Sequence, residues 1–175
     1  LALVAVLASG AAPTAPPARL GPAPNFALTT QRNDRLWLTH LRDRVVVLTF
    51  FCTDCPSCPG VLPALLETAR ATEGAGRRLF FVAVSVDPAR DSPAVLRAFA
   101  RARGADPAAW LFLTGRPAEV EAVARRYDVA VRPGPAGPTH DCLAVLIDAA
   151  GVVRGRYDAA GLTRLRSDLD ALLPR

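Results

Sequence analysis

The sequence contains no methionine and no lysine, only four cysteines and two histidines, and no long apolar run. No stretch reaches the roughly 20 consecutive apolar residues that a membrane-spanning helix needs, which excludes an internal transmembrane helix. Four cysteines in 175 residues are too few for a domain built on disulfides. A chain of this length also buries enough surface to form a core without them. The cysteines therefore need not be structural.

The positive charge of the chain does not indicate a nucleic-acid-binding surface. All 21 basic residues are arginines, and against 16 acidic residues they give a formal net charge of +5. The arginines are interspersed with acids, as in residues 42–44 and 90–91, and form no stripe. Because 51% of the residues are hydrophobic, most of the chain is not disordered. We expect one folded domain that does not bind nucleic acid.

The chain begins with a short apolar run, LALVAVLASGAA, followed by the proline-rich stretch PTAPPARLGPAP. An apolar run that ends in small residues is typical of a secretory signal or of the last turns of an N-terminal anchor. The prolines prevent a helix or a central strand. We interpret residues 1–24 as a truncated signal or anchor segment with a linker, and residues 25–175 as one domain. We expect it outside the cytoplasm, in the periplasm or at the outer face of the membrane, with membrane contact only through the N-terminal segment.

Strand-like and helix-like patterns alternate along the domain. Continuous apolar runs rich in β-branched residues predict buried strands at 44–51, 78–86, 110–114 and 143–148. Amphipathic segments predict helices near 60–72, 93–103, 117–127 and 160–173. The pairs FALTT with RLWLTHL, and LAVLID with VVRGRYD, predict two β-hairpins, the first of them N-terminal. This alternation predicts an α/β fold with a central mixed sheet flanked by helices.

Cys55 and Cys58 lie in the sequence CPSCP, between the first buried strand and the helix that follows. Free backbone N–H groups and the positive end of the helix dipole stabilise a thiolate at such a junction. Two sulfurs so placed can form a reversible disulfide or bind a soft metal ion, and a pair of buried structural thiols is the alternative. A cysteine pair at a strand-to-helix junction is typical of a thioredoxin-like fold.

Four segments resemble the Sco/SenC family in order and spacing: VVVLTFFCTDCPSCPGVL, FFVAVSVDPARDSPAVLRAF, WLFLTG and THDCLAVLIDAAGVV. The resemblance runs from about Phe26 to the last helix, and SVDPARDSP at 85–93 is its most specific part. It implies a thioredoxin-like fold, a copper ion bound as Cu(I) or Cu(II), and a role in assembling the copper centre of cytochrome c oxidase. The implied partners are the copper-centre subunit of the oxidase, with a thioredoxin-like reductant or another copper chaperone.

In that family two cysteines and a distant histidine bind the metal. Cys55 and Cys58 match the two cysteine positions, and His140 matches the histidine through its spacing to the strand at 143–148. Thiolates are soft ligands that suit Cu(I), and imidazole suits copper in either oxidation state. The resemblance therefore implies Cys55, Cys58 and His140 as copper ligands. The other histidine, His40, has no such support and is expected at the surface.

The cysteine spacing departs from the family pattern, because two residues separate Cys55 and Cys58 where the family has three. The shorter spacing is the one that thiol–disulfide oxidoreductases use. An enzymatic function therefore stays open beside the metallochaperone. In it Cys55 attacks, Cys58 resolves, and the substrate is the disulfide formed by the copper-ligand cysteines of the oxidase. A peroxidase is disfavoured, because the chain lacks the Pro-x-x-x-Thr-x-x-Cys arrangement.

Two further cysteines flank the predicted ligands: Cys52 precedes Cys55 by three residues, and Cys142 follows His140 by two. Each can be a buried apolar side chain, an additional soft ligand or a resolving thiol. A disulfide between Cys52 and Cys142 is another alternative. Because either cysteine can compensate as a ligand, we expect Cu(I) binding to depend less on His140 than the family pattern implies.

Overall fold

The computed structural model describes residues 15–54 and 60–173 of the chain. In chain order, its strands are β1 (Gly21–Pro22), β2 (Ala27–Thr30), β3 (Arg35–Trp37), β4 (Val45–Phe51), β5 (Leu79–Ser85), β6 (Trp110–Thr114), β7 (Val131–Arg132), β8 (Thr139–His140), β9 (Ala144–Ile147) and β10 (Val152–Tyr157). The helices are α1 (Val61–Ala71), α2 (Pro93–Ala102), α3 (Pro117–Arg126) and α4 (Leu162–Leu172).

Eight of the strands form one mixed sheet in the order β1-β10-β9-β4-β5-β6-β2-β3. Strands β4, β5 and β6 run parallel, and β9 pairs antiparallel with the other edge of β4. The remaining strands, β7 and β8, form a separate two-stranded sheet. The carboxyl ends of β4 and β5 therefore lie at the same edge of the large sheet. In α/β folds, ligands bind at this edge.

Strand β4 separates two apolar cores. All seven of its residues are buried, and alternate side chains enter opposite faces of the sheet. Val46, Leu48 and Phe50 pack on the face that α3 covers. Val45, Val47 and Phe51 pack on the other face, against apolar side chains of α1, α2 and α4. A continuous apolar sequence suits this strand because neither face meets water.

The four strands and four helices predicted from apolar patterns are confirmed, with ends that differ by at most two residues. The hairpin β9–β10 is confirmed as well. Ser92 and Pro93 begin α2 as expected, because the Ser92 Oγ accepts a hydrogen bond of 3.4 Å from the Val95 N–H. Pro117 is the first residue of α3.

One prediction at the N-terminal side needs correction. The second strand of the first hairpin was predicted to extend through Leu41, but β3 ends at Trp37 and residues 38–41 form a 3₁₀ turn. The turn buries Leu38 and Leu41, which lie three residues apart and so face the same side of it. The sheet also begins before Asn25, because β1 pairs with β10. Pro22 is compatible with a strand there because β1 is the outermost strand.

The interpretation of residues 1–24 as a signal or anchor with a linker stays a prediction, and residues 1–14 lie outside the described part of the chain. Within the described ranges, no helix is both long enough and apolar enough to cross a membrane.

Glu119 connects the N-terminal hairpin to α3. Its carboxylate accepts hydrogen bonds from the Arg35 side chain at 2.8 Å, the Arg116 backbone N–H at 2.9 Å and the Arg116 side chain at 3.2 Å. The hydrogen bond from Arg35, followed by those from Arg116, lowers the pKa of Glu119 to about 2. A carboxylate whose pKa is lower in the folded state stabilises the fold above its unfolded pKa, and this contribution is lost as the pH falls through the folded pKa.

We expect Glu119→Gln to lower the free energy of unfolding at pH 7, because a neutral amide binds the two arginines less strongly. The difference from the wild type should shrink as the pH falls from about 4, the unfolded pKa of Glu, towards about 2. Urea denaturation at a series of pH values measures it. The control is Glu121→Gln, which removes an exposed ion pair with Arg125 and should change stability little. A Glu119→Gln effect that stays constant down to pH 2 would contradict this account.

Candidate functional site

The chain leaves the carboxyl end of β4 through Cys52 and Thr53 and is described again from Gly60, just before α1. Cys55 and Cys58 lie in between, outside the described residues. Their adjacency at the start of the helix therefore stays a prediction. The structure does fix both ends of this segment, residues 53–60, which we call the cysteine loop. Its position between the central strand and the next helix agrees with the sequence prediction.

Asp91 holds the start of the cysteine loop. Its carboxylate accepts a hydrogen bond of 3.1 Å from the Thr53 backbone N–H and a second one from the Thr53 hydroxyl. A third comes from the Ser85 hydroxyl at 2.5 Å. Asp91 is only 1% exposed and Ser85 is fully buried. Both belong to SVDPARDSP at 85–93, a segment that the sequence singled out but to which it assigned no role.

The end of the cysteine loop is the start of α1. Gly60 occupies the N-cap position and offers no side chain to the first N–H groups of the helix. The helix is held in place by Val61 and Leu62, which are buried in the core. The positive end of the α1 dipole therefore adjoins the cysteine loop, where it favours negative charge such as that of a thiolate.

His140 reaches the site from the small β7–β8 sheet, in which it pairs with Val131. Asp141 fastens this hairpin, because its carboxylate accepts a 2.9 Å hydrogen bond from the Ala130 N–H and its own N–H donates to the Ala130 carbonyl at 3.1 Å. The hairpin was not predicted. The sequence signal for it is the turn VRPGPAGPTH, whose proline and glycine residues separate two short extended segments.

The His140 ring is buried, with only 5% of the residue exposed. Its Nδ1 lies 3.0 Å from the backbone carbonyl oxygen of Asp141. A neutral ring that donates from Nδ1 carries its lone pair on Nε2, the form that can bind a metal. Burial lowers the pKa of His140, and the hydrogen bond and charge of Asp141 oppose this effect. The imidazole is therefore neutral at pH 7.

One cavity of about 110 Å³ joins these parts of the site. It lies at the carboxyl end of β4, and residues of β4, α1 and α2 line it together with the histidine. The lining residues are Phe50, Phe51, Cys52, Thr53, Val61, Leu62, Pro63, Phe99, Arg103 and His140. The structure therefore places the predicted histidine beside both ends of the cysteine loop. The other histidine, His40, is exposed as expected.

Within residues 15–54 and 60–173, no group of three histidine, cysteine or acidic side chains is arranged to hold a metal ion. Two of the three predicted ligands, Cys55 and Cys58, lie outside these ranges. The third, His140, is buried, and its Nδ1 faces the Asp141 carbonyl, an arrangement typical of an imidazole that binds a metal through its other nitrogen.

The two additional cysteines are both disulfide-bonded, so the interpretation of Cys52 and Cys142 as apolar side chains alone is wrong. Cys52 packs in the core on the α3 side of the sheet, whereas Cys142 packs against the core on the opposite side. The sulfur of Cys142 lies 3.7 Å from the carbonyl oxygen of His140, so this cysteine adjoins the site.

The mixed sheet, with a cysteine-containing loop between its central strand and a helix, defines a thioredoxin-like protein. A sequence profile of the SCO1/SenC family matches residues 15–166, which is most of the chain. The chain therefore belongs to the SCO1/SenC family, as the sequence resemblance implied. A comparison with curated proteins gave no match.

Solved structures of Sco proteins share this fold. The solution structure of apo Sco1 from Thermus thermophilus is 32% identical, covers 94% of this chain and 100% of its own, and has a TM-score of 0.73. ScoI from Bradyrhizobium japonicum, solved with copper bound, is 28% identical over 81% of this chain and 98% of its own, with a TM-score of 0.70.

A third relative, BsSco, is 21% identical and covers 88% of this chain and 95% of its own, with a TM-score of 0.76. It is described as a member of the Sco family of cytochrome c oxidase assembly proteins in which a disulfide switch was identified. At this identity the likeness shows the thioredoxin-like fold, which is the fold that the sequence predicted for this chain.

The β7–β8 turn contacts the segment that holds the cysteine loop. The Arg90 side chain donates a hydrogen bond of 3.4 Å to the Ala136 carbonyl and also pairs with Asp87. Gly137, the next residue of the turn, has a φ of +118°, and a Cβ added there would lie 1.9 Å from the Arg90 Nη2. Only glycine adopts this conformation without strain.

We expect Gly137→Ala to destabilise the protein by about 1–3 kcal/mol, because alanine is strained at this φ and would displace the Arg90 guanidinium. Urea denaturation measures the loss. The control is Gly161→Ala, which has an ordinary φ of −81° and no atom closer than 3.4 Å to the added Cβ. Equal stabilities for the two variants would show that the turn does not need glycine.

Proposed function

We propose that the protein binds copper at the carboxyl end of β4 and delivers it to, or prepares, the copper centre of cytochrome c oxidase. The observation that carries the proposal is the shared cavity, in which a buried neutral His140 adjoins both ends of the cysteine loop. Membership of the SCO1/SenC family and the copper bound to the Bradyrhizobium relative support it. Copper is the cargo of this function.

The proposed ligands are Cys55, Cys58 and His140. Two thiolates and one imidazole form a soft donor set that suits Cu(I). The start of α1 supports the thiolates, since the helix dipole favours negative charge there. The carbonyl of Asp141 fixes the orientation of the histidine ring, so Nε2 is the donor atom. Oxidation of the two cysteines to a disulfide would remove both thiolates and release the ion.

We also infer that the protein works outside the cytoplasm, anchored or secreted through its N-terminal segment. Cys52 and Cys142 are disulfide-bonded, and disulfides persist in oxidising compartments. The proposed partner is the copper-centre subunit of the oxidase, with a thioredoxin-like reductant or another copper chaperone supplying electrons or copper.

Thiol–disulfide exchange is the second candidate function, favoured by the two-residue spacing of the cysteine pair. In this reaction the Cys55 thiolate attacks a disulfide of the partner and forms a mixed disulfide. The Cys58 thiolate then attacks the Cys55 sulfur and releases the partner as a dithiol. The partner gains two electrons and two protons, and the Cys55–Cys58 pair is oxidised. The two functions are compatible, because the partner's cysteines must be reduced before they bind copper.

Titration with Cu(I) in the presence of a competing chelator tests the copper site. We expect the reduced wild type to bind one ion. His140→Ala should weaken binding by about tenfold or less, because Cys52 or Cys142 can compensate as a soft ligand once it is reduced. Adding Cys52→Ser and Cys142→Ser to His140→Ala should weaken it further. The control is His40→Ala, which removes an exposed histidine and should leave the affinity unchanged.

No binding by the reduced wild type would remove the copper function and leave thiol–disulfide exchange. A collapse of affinity in His140→Ala, with the double serine variant unaffected, would show that the additional cysteines do not compensate.

A further inference from the structure

Asp91 is an acidic side chain in a place where ionised groups are rarely found. It is 1% exposed, and its carboxylate lies among the carboxyl ends of β4 and β5. A buried carboxylate is costly unless hydrogen bonds replace its water, and here three donors do so. Two of these donors belong to Thr53 and one to Ser85. The carboxylate also precedes α2, whose positive dipole end favours it.

The adjacent arginine does not neutralise Asp91. Arg90 pairs with Asp87, whose backbone carbonyl in turn accepts hydrogen bonds from the Arg90 N–H at 3.1 Å and the Asp91 N–H at 2.9 Å. These bonds fix the turn that carries Asp91, so the position of its carboxylate is set by the backbone. The carboxylate then serves as the acceptor for the start of the cysteine loop.

Both hydrogen-bond donors of Thr53, the backbone N–H and the side-chain hydroxyl, donate to this one carboxylate. Two bonds from one residue to one acceptor fix its orientation as well as its place. Thr53 precedes Cys55 by only two residues. Val61 and Leu62, at the start of the helix that follows the loop, are buried in the core.

We propose that Asp91 is a positioning residue that fixes the start of the cysteine loop and thereby tunes the copper binding and disulfide exchange proposed for it. The proposal rests on the function proposed above and extends it. A loop held at both ends loses less conformational entropy when its thiols bind an ion or close a disulfide. The turn that carries Asp91 also contacts the histidine hairpin through Arg90 and Ala136. It therefore touches both parts of the site.

The test compares two buried carboxylates, one that contacts the cysteine loop and one that does not. Asp91→Asn replaces one acceptor oxygen by an amide donor and so disrupts the contacts to Thr53. The matched control is Asp168→Asn, because Asp168 is also buried and accepts a 2.6 Å hydrogen bond from the Tyr157 hydroxyl, on the α4 side of the sheet. Both variants should lower the free energy of unfolding, which urea denaturation measures.

Only Asp91→Asn should change the site itself. We expect about a tenfold loss of Cu(I) affinity in chelator competition, whereas Asp168→Asn should match the wild type. A second measurement needs no copper: the equilibrium of the Cys55–Cys58 pair with glutathione, in a background where Cys52 and Cys142 are serine. Asp91→Asn should shift this equilibrium about tenfold towards the dithiol, because the looser loop and the lost negative charge both disfavour the disulfide.

A second pair of variants tests the contact from the loop side. Thr53→Val keeps the shape of the side chain but removes the hydroxyl that Asp91 accepts from, and Thr53→Ser keeps the hydroxyl. We expect Thr53→Val to shift both measurements in the direction of Asp91→Asn, and Thr53→Ser to stay near the wild type. If Asp91→Asn does not fold, this pair decides the question.

The two proposals fail in distinguishable ways. A wild type that binds no Cu(I) contradicts the copper function, while the glutathione equilibrium still tests Asp91. A wild type that binds Cu(I), with affinities and equilibria unchanged in Asp91→Asn and Thr53→Val, overturns the positioning role. The positioning role is also overturned if Asp168→Asn changes the Cu(I) affinity and the glutathione equilibrium as much as Asp91→Asn does. The effect of Asp91→Asn would then follow from lower stability alone.

Discussion

Strand β4 is buried on both faces and hydrogen-bonded along both edges, to β5 on one side and to β9 on the other. A strand confined in this way can contribute reactive groups only at its ends. Its carboxyl end continues directly into the cysteine loop. The neighbouring strands then determine what surrounds that loop. The segment after β5 brings Asp91, and the segment before β9 brings His140 and Cys142.

The site therefore consists of polar groups collected at one edge of an apolar sheet. Each is held by a contact outside the loop: Thr53 by Asp91, the His140 ring by the Asp141 carbonyl, and the histidine hairpin by Ala130. A metal carrier needs ligands that are ready to bind yet able to release, which favours a fixed frame around a reactive pair of thiols. The same frame serves disulfide exchange, so one architecture supports both proposed functions.

Much of the fold could be predicted from the sequence because the central elements carry strong local signals. The apolar run of β4 and the Ser92–Pro93 start of α2 each predict one structure. The missed elements are stabilised by distant partners: β1 exists because β10 offers a free edge, and β7–β8 depends on Asp141 and Arg90. His140 was found through family resemblance, whereas the role of Asp91 depends on a contact 38 residues away that no local pattern encodes.

The central claim is that His140 and the cysteine loop bind one copper ion together. X-ray absorption spectroscopy of the Cu(I)-loaded protein tests it most directly, because sulfur and imidazole ligands scatter differently. The account predicts sulfur ligands together with one imidazole, and loss of the imidazole signal in His140→Ala but not in His40→Ala. A spectrum with sulfur ligands alone in the wild type, or an imidazole signal that persists in His140→Ala, would contradict it.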